Sequence, residues 1–255
     1  MSDDSLLELR GVQITPSQRP DLVLFECVDW CVAPGDFWIV GSTQGSGKSA
    51  VMELASGRNR PPQGEVRHFG ENIFQLPTPR PDEIRRRIGL VFDQGGRIFH
   101  HMTVAENITL PLRYHRQLSL EAALVELAPL IEAAELGRML DSGAGRIPRG
   151  WAWRTACVRA LALQPELLLF DNPMAGLDRE HARWCRAFIG RLTTEGIGLA
   201  KPSATILACD DLRPWVGLGR QFALASAGKW EALGNRQCVL DSVEPVIRGL
   251  LERDY

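Results

Sequence analysis

The chain carries the run FWIVGSTQGSGKS at Phe37–Ser49, an apolar stretch that leads into a glycine-rich turn and then into Lys-Ser. A run of helical character follows from Ala50 to Ala55. A strand, a glycine-rich turn and a helix in this order are the layout of a phosphate-binding P-loop. The run therefore predicts a site for a nucleotide triphosphate with Mg²⁺.

Each residue type in this turn has a physical role toward phosphate. Gly45 and Gly47 allow a tight backbone whose N–H groups approach phosphate oxygens. Lys48 supplies a positive charge that reaches the β- and γ-phosphates, and the hydroxyl of Ser49 binds Mg²⁺. The helix that begins near Lys48 adds its free N–H groups and its dipole. The predicted nucleotide-binding residues are Gly45, Ser46, Gly47, Lys48, Ser49 and Ala50.

One position departs from the strict pattern G-x-x-x-x-G-K-[ST]. Ser42 stands where the pattern has glycine, and Gly41 comes one residue early. The alternative interpretation is a glycine-rich turn with an incidental lysine. The buried strand predicted directly in front of the turn favours the P-loop.

Composition and charge narrow the class of protein. The 255 residues are 45% apolar and 24% charged, which is enough for a full core in one large domain, alone or with a subdomain. The net charge of −2 gives no electrostatic footprint for nucleic acid. No apolar run is long enough to span a bilayer, and the acidic start Met1–Asp4 is unlike a secretory signal. We therefore expect a soluble, cytoplasmic protein that acts at a membrane only through a partner.

The order of predicted strands and helices favours an α/β fold. Leu167–Phe170 and Ala204–Ala208 are continuous apolar runs that lie between helical segments. Such strands are typical of a parallel sheet that is covered on both faces. Short strands separated by proline and glycine turns precede them, and roughly residues 96–155 are mostly helical in pattern. We interpret this middle part as an insertion into the α/β core.

Two helices are predicted in and after this insertion. Ser119 caps a long amphipathic helix, whose apolar residues recur at helical spacing at Leu120, Leu124, Leu127, Ile131 and Ala134. Another helix spans roughly Trp151–Leu163 and stops at Pro165. We interpret Trp151 and Trp153 as packing residues.

A second site element follows one of the apolar strands. Asp171 comes directly after Leu167–Phe170. In P-loop proteins a carboxylate at this edge of the sheet holds Mg²⁺. A strand of this kind is common by itself, but its combination with the P-loop and with the following run Asn172–Asp178 is specific.

These motifs, in their order along the chain, resemble those of ATP-binding cassette (ABC) proteins over nearly the whole sequence. Val91–Gln94 is similar to the Q-loop of that family, and Gly176–Asp178 is similar to its D-loop. Other segments that match in order are Gly64–Val66, Met102–Ile108 and Arg154–Leu161. Gln94–Phe99 and Glu244–Arg248 are most similar to the Mla/MCE-type lipid-transport ATPases.

The resemblance implies a single ABC ATP-binding domain over residues 1–255. Its expected parts are a RecA-like P-loop NTPase core, an antiparallel β subdomain and an inserted helical subdomain at approximately 96–155. It also implies ATP and Mg²⁺ as ligands. Ser49, Gln94 and Asp171 are then expected at the metal, and Gln94 is expected to contact either Mg²⁺ or the attacking water.

The resemblance further implies two protein partners, and neither is a nucleic acid. A second cassette, identical or different, would sandwich ATP against this one. A cytoplasmic helix of an integral membrane permease would dock in the Q-loop groove. The expected location is therefore cytoplasmic, at the inner face of the membrane through that permease.

Two residues depart from the family at positions that carry hydrolysis. Asn172 replaces the glutamate that orients or activates the attacking water, and an amide cannot take a proton from that water. Asp210 replaces the switch histidine. A carboxylate that faces a phosphate at about 4 Å, with an effective dielectric constant near 20, would cost on the order of 4 kcal/mol unless it is protonated or turned away.

The signature motif of the family is also altered. The chain has Pro148, Arg149 and Gly150 where the family has Ser-Gly-Gly. Proline offers neither a hydroxyl nor a backbone N–H, and arginine replaces a glycine that lets the backbone approach phosphate. Our hypothesis is that the Arg149 guanidinium lies near the γ-phosphate held by the partner cassette, where charge replaces neutral backbone donors.

The sequence thus predicts a cassette whose nucleotide grip is kept and whose hydrolytic groups are changed. We expect a nucleotide-binding subunit of an ABC transporter, of the lipid-transport type, that binds Mg-ATP and couples dimer closure to a permease with weak or no hydrolysis. Two alternatives stay open at this point. One is a slow but genuine ATPase in which Gln94 or another group positions water, and the other is a scaffold that no longer needs nucleotide.

Overall fold

A computed structural model of the chain describes residues 5–43, 45–93 and 97–252, and it divides into two compact units. The first unit takes its described residues from Met1–Ile88, Leu167–Asp171 and Ser203–Tyr255. The second unit takes them from Gly89–Glu166 and Asn172–Pro202. The expectation of one domain over residues 1–255, with a helical insertion at 96–155, stays a prediction.

The smaller sheet of the first unit is antiparallel, as the sequence predicted. Its strand order is β2-β1-β4, with β1 at Leu7–Ile14, β2 at Phe25–Val32 and β4 at Glu65–His68. Buried and exposed residues alternate along most of β2, so that Trp30 and Val32 face the core while Cys31 faces solvent. An antiparallel strand with one wet face has this pattern because successive side chains point to opposite faces.

The larger sheet forms the core of the first unit. Within this unit its strand order is β6-β7-β3-β8-β9, with β3 at Phe37–Ser42, β6 at Leu167–Asp171, β7 at Ala204–Cys209, β8 at Gln221–Ser226 and β9 at Lys229–Gly234. All pairs are parallel except β8 with β9. Every residue of β3, β6 and β7 is buried, which explains why their sequences are mostly apolar. The predicted α/β core is therefore confirmed.

Short helices flank these strands. Those of the first unit are α1 at Lys48–Ala55, α2 at Arg80–Arg86, α8 at Arg236–Leu240 and α9 at Pro245–Leu251. A further strand, β5 at Ile88–Val91, begins in the first unit and continues into the second. α1 starts directly after the glycine-rich turn, as predicted, and places that turn at the carboxyl end of β3.

The second unit is mainly helical. Its helices are α3 at Val104–Arg116, α4 at Leu120–Glu126, α5 at Ala128–Ala133, α6 at Arg149–Leu161 and α7 at Arg179–Thr194. Thr103 and Glu106 form a capping box at the start of α3, because each side chain accepts a hydrogen bond from the other residue's backbone N–H. Across residues 5–43, 45–93 and 97–252, none of the helices has the length and apolar character needed to span a bilayer.

The long helix predicted after Ser119 is wrong, because the structure has two helices there. Ser119 does cap the first one, since its Oγ accepts a hydrogen bond from the Ala122 N–H at 3.1 Å. Pro129 ends that helix because it has no N–H to donate to the carbonyl four residues earlier. The backbone pattern resumes when the Ile131 N–H donates to the Leu127 carbonyl at 2.9 Å.

A buried arginine joins three helices of the second unit. Arg154 is 1% exposed, and its guanidinium lies 4.5 Å from the ring centre of Trp151 and 4.2 Å from that of Trp184. It donates to the Ala134 carbonyl at 3.2 Å and to the Glu135 carboxylate at 2.5 Å. A charge buried this deeply requires such partners. The contact of Trp151 with Arg154 and the burial of Trp153, which is 2% exposed, agree with the interpretation of both as packing residues.

A buried histidine on β4 makes the first unit sensitive to pH. His68 is 0% exposed, and its Nε2–H donates to the Ala55 carbonyl at 3.0 Å. Burial, together with the charge of Arg85, lowers the pKa of His68 from 6.5 to about 4. The native protein therefore keeps this ring neutral at pH values where the unfolded chain protonates it.

We expect the fold to lose stability as the pH falls from 6.5 to 4. Over this range the unfolded state binds a proton at His68 that the native state does not, which lowers the free energy of unfolding by about 3 kcal/mol. In a His68→Gln protein, whose amide can replace the Nε2–H donor, this part of the loss should vanish. Urea unfolding at pH 7 and pH 4 measures both proteins, with His100→Gln as a control at an exposed ring. Parallel pH profiles for wild type and His68→Gln would contradict the assignment.

Candidate nucleotide site

The glycine-rich turn has the backbone that its sequence predicts. Gly45 has φ 78° and Gly47 has φ 98°, both in the left-handed region that favours glycine. A Cβ atom at Gly47 would lie 2.7 Å from Cδ1 of Leu24, so a side chain is excluded there by packing as well. Nothing lies within 4 Å of a Cβ at Gly45, which leaves that side of the turn open to a ligand.

The polar groups of the turn fit an anionic ligand. The hydroxyl oxygen of Ser46 is buried and has no hydrogen-bond partner among the described residues. The side chain of Ser49 is exposed at the start of α1, and no side chain caps that helix. Ala50 differs from its predicted role in one respect, because its N–H already donates to the Gly47 carbonyl at 3.0 Å. The turn thus offers a hydroxyl and helix N–H groups to phosphate oxygens.

The lysine of the turn has an acidic partner in its own unit. The Nζ atom of Lys48 lies 3.9 Å from Oδ2 of Asp210, and their side chains are 10% and 29% exposed. β3 and β7 pair in parallel up to Gly41 opposite Cys209, which brings the residue after β7 beside the turn. The sequence predicted Asp210 as a like charge facing phosphate. The structure shows that this carboxylate faces the lysine.

The unusual Ser42 is tied to the same strand end. Its side chain is fully buried, and its hydroxyl donates to the carbonyl of Cys209 at 3.4 Å. This bond is long, but a buried hydroxyl needs an acceptor. Ser42 and Asp210, two separate departures from the family pattern, are therefore connected through Cys209.

The predicted metal ligands are only partly described. Asp171 ends β6, is 4% exposed, and lies opposite Ala208 of β7. It is thus at the carboxyl edge of the sheet, where the sequence placed it. Gln94 lies outside the described residues, so its predicted contact with Mg²⁺ or water stays a prediction. Within the part of the chain that the structure describes, no group of three or more His, Cys, Asp or Glu residues could hold a metal by itself.

In the second unit, the residue at the position of the catalytic glutamate has an unusual backbone. Asn172 has φ 47° and is 8% exposed. The left-handed region is several-fold enriched in asparagine among non-glycine residues. Its backbone carbonyl accepts a hydrogen bond from the Ala175 N–H at 3.1 Å. The amide side chain therefore suits this local turn, and it brings no general base.

The altered signature segment begins a helix and packs within its own unit. Pro148 precedes α6, and no side chain caps the helix. Arg149 lies with Nη2 3.6 Å from Oδ1 of Asp93. Its guanidinium also covers Gly176, where a Cβ atom would lie 2.6 Å from Nη1. Asp93 therefore competes for the Arg149 guanidinium with the partner's phosphate that our hypothesis assigns to it. The sequence analysis missed Asp93, although this residue directly precedes Gln94.

The remaining signature glycine lies against a histidine that sequence reasoning also missed. A Cβ atom at Gly150 would lie 2.0 Å from Cδ2 of His181. The His181 ring is held by Asp178, whose Oδ2 is 2.9 Å from Nδ1, and it meets Trp151 edge-on. Gly150 is therefore required by packing inside the second unit. The only sequence pattern that pointed to this contact is Asp178, an N-cap residue type three residues before His181.

A family model described as "ABC transporter" matches residues 25–175. The chain belongs to the ABC transporter family. As an ABC protein it has curated relatives that confirm the predicted resemblance to lipid-transport ATPases. "Intermembrane phospholipid transport system ATP-binding protein MlaF" of Escherichia coli K12 is 31% identical over 174 residues, 68% of this chain and 63% of that protein.

Other ABC relatives extend the comparison. The MlaF protein of Haemophilus influenzae is 28% identical over 69% of this chain and 65% of its own length. The "Sulfate/thiosulfate import ATP-binding protein CysA" of Mycobacterium tuberculosis H37Rv is 28% identical over 87% of this chain and 60% of its own. The chain thus spans less than two thirds of the length of these curated relatives.

Solved ABC cassettes share the fold. The cbiO1 protein of Clostridium perfringens has a TM-score of 0.75 at 17% identity, covering 94% of this chain and 92% of that chain. The cassette MJ0796, solved as a dimer in "a post-hydrolysis state … bound to ADP and Pi", has a TM-score of 0.76 at 24% identity, covering 89% and 98%. At these identities the likeness establishes the fold alone, which is the predicted P-loop NTPase fold.

The contact between Gly150 and His181 predicts different effects on stability for two glycine substitutions. Gly150→Ala forces the His181 ring away from Asp178 and should lower the free energy of unfolding by about 1–3 kcal/mol. Gly143→Ala is the matched control, because φ there is −65° and nothing lies within 4 Å of its Cβ position. It should be neutral or stabilising by up to about 1 kcal/mol. Denaturant unfolding measures both, and equal effects would contradict the packing described.

Proposed function

We propose that this chain is the nucleotide-binding subunit of an ABC transporter that binds Mg-ATP and hydrolyses it weakly or not at all. One observation carries the proposal: the phosphate cradle keeps its form while the groups that act on water are replaced. Gly45 and Gly47 hold the left-handed turn, and Lys48 lies at its end. Asn172 and Asp210 stand where the family has its glutamate and histidine.

The cradle supports binding of a nucleotide triphosphate. Two or more phosphates carry a charge that the helix N-terminus, the turn N–H groups and Lys48 together can balance. The buried Ser46 hydroxyl gains an acceptor when a phosphate oxygen enters. These groups bind the phosphates by charge and hydrogen bonds alone, so that binding requires no hydrolysis.

A Mg²⁺ ion would be held by few protein groups. The Ser49 hydroxyl and the Asp171 carboxylate are oxygen donors of the kind that Mg²⁺ prefers, and Gln94 is the third predicted ligand. Mg²⁺ commonly uses one or two carboxylates together with substrate phosphates, which agrees with the lack of a larger acidic cluster in the described chain. When bound, the ion neutralises phosphate charge.

Hydrolysis is expected to be weak because water activation has no base at position 172. An amide donates and accepts hydrogen bonds but does not take a proton at neutral pH. Asp210 adds negative charge where the family has a switch histidine, and Pro148 removes a hydroxyl and an N–H from the signature. A second cassette would not repair all of these, since each composite site contains at least one altered element.

The proposed partners are a second cassette and an integral membrane permease, at the cytoplasmic face of the membrane. Nucleotide would shift the dimer toward a closed form because it binds that form more tightly. The match to MlaF, named for intermembrane phospholipid transport, supports a lipid-transport system. The segments Gln94–Phe99 and Glu244–Arg248 support the same assignment. Docking of a permease helix at the Q-loop groove and contact of Arg149 with a partner's nucleotide are parts of this proposal.

We expect purified protein to bind Mg-ATP in a Lys48-dependent way without measurable turnover. Lys48→Ala should abolish binding, because it removes the charge that reaches the β- and γ-phosphates. Lys229→Ala, at an exposed lysine of β9, is the matched control and should bind like wild type. Equilibrium binding of a fluorescent ATP analogue and release of inorganic phosphate measure the two properties.

Two results would overturn the proposal. Phosphate release well above that of the Lys48→Ala protein would favour a slow ATPase. Absence of binding at millimolar Mg-ATP would favour a scaffold that does not use nucleotide.

A further inference from the structure

We propose that Asp210 is a built-in counter-ion of Lys48 that nucleotide phosphate has to displace, and that it weakens binding of ATP more than binding of ADP. This inference rests on the proposed nucleotide-binding function and deepens it. It names the residue that sets which phosphate chain the site prefers.

Lys48 is poorly hydrated and needs a negative neighbour. Its side chain is 10% exposed, and Asp210 is 3.9 Å from its ammonium nitrogen. Among the ion pairs of residues 5–43, 45–93 and 97–252, this nitrogen takes part only in the one with Asp210. Charges that are largely removed from water are kept in a protein by pairing. Asp210 thus occupies, electrostatically, the place that a phosphate takes at a P-loop lysine.

The position of Asp210 is fixed by the backbone before it. β7 ends at Cys209, which pairs with Gly41 in the parallel register of β3 and β7. The Ser42 hydroxyl donates to the Cys209 carbonyl, which directly precedes Asp210. Glycine at position 42 could not make this bond. Ser42 is therefore a positioning residue for Asp210, and the two departures from the family pattern act together.

The counter-ion should affect ATP and ADP differently. A P-loop lysine reaches both the β- and the γ-phosphate. ATP brings its additional phosphoryl group, and with it more negative charge, toward the lysine and its carboxylate. Repulsion between like charges falls with distance, so the terminal phosphate that approaches Lys48 experiences most of it. Asp210 therefore narrows or reverses the preference for ATP that a lysine without a counter-ion would give.

Asp210→Asn removes the carboxylate charge and nearly preserves its shape. We expect its dissociation constant for Mg-ATP to fall roughly tenfold, and the constant for Mg-ADP to fall by a clearly smaller factor. Asp211→Asn is the matched control, because that carboxylate is one residue away and is held by Arg213 at 2.8 Å. It should leave both constants within twofold, about the precision of such measurements. Fluorescence anisotropy of labelled ATP and ADP, confirmed by competition with the unlabelled nucleotides, measures them.

Ser42→Gly tests the positioning role. In the wild-type background it should tighten ATP binding in part, because Asp210 is held less firmly beside Lys48. In the Asp210→Asn background the same substitution should give no further gain. A gain that persists without the carboxylate would show that glycine at 42 acts on the P-loop itself, and it would overturn the role assigned to Ser42.

The outcomes separate this inference from the proposed function. Two results overturn the inference and leave the proposed function intact. In the first, wild type binds Mg-ATP and Asp210→Asn binds it with the same dissociation constant. In the second, Asp210→Asn binds Mg-ATP and Mg-ADP more tightly by the same factor. Binding by Asp210→Asn alone supports the inference and overturns ATP binding by the wild-type protein. Absence of binding in both overturns both. If Asp210→Asn fails to fold, as thermal melting shows, Asp210→His replaces it in the same comparison, with the same gain expected.

Discussion

The charge of Lys48 has to be balanced in a place that water reaches poorly, and the turn after β3 and the end of β7 together meet this constraint. Lys48 follows β3 after a turn in which Gly45 and Gly47 have left-handed backbone conformations, and Leu24 leaves no room for a side chain at Gly47. Asp210, the residue after β7, places a carboxylate oxygen 3.9 Å from the ammonium nitrogen. The parallel register of β3 and β7 brings the end of β7 beside the turn that precedes Lys48. Either a bound phosphate or the carboxylate of Asp210 can balance the positive charge of Lys48.

The departures from the family pattern are consistent with each other once they are placed in the fold. Ser42 and Asp210 are joined through the Cys209 carbonyl in the first unit. In the second unit, Arg149 covers Gly176 and faces Asp93, while Asn172 fits a left-handed turn. Ser42, Asp210 and Arg149 each have a local polar partner, which is unlike the loss of contacts expected from decay. This pattern supports the proposal that the chain binds nucleotide through an unchanged glycine turn while its hydrolytic positions are altered.

Sequence reasoning could predict the parts that depend on local order. The glycine turn at Phe37–Ser49 and the carboxylate after β6 follow from strand and turn patterns within a few residues. The helix break at Pro129 was also predictable, but the helical spacing of apolar residues from Leu120 to Ala134 led to the prediction of one long helix. The pairing of Lys48 with Asp210 was not predictable, because it depends on the register of two distant strands and on side-chain conformation. The packing of His181 on Gly150 is tertiary for the same reason.

A double-mutant cycle in the absence of nucleotide tests most directly whether Lys48 and Asp210 form a stabilising pair. The free energy of unfolding is measured for wild type, Lys48→Met, Asp210→Asn and the double variant in urea. We expect the single variants to be destabilised, since each removes the attraction between the two charges, and the double variant to recover part of the loss. The coupling energy should be about 0.5–2 kcal/mol in favour of the pair. Strictly additive effects would show that the two charges do not interact and would contradict the counter-ion role of Asp210.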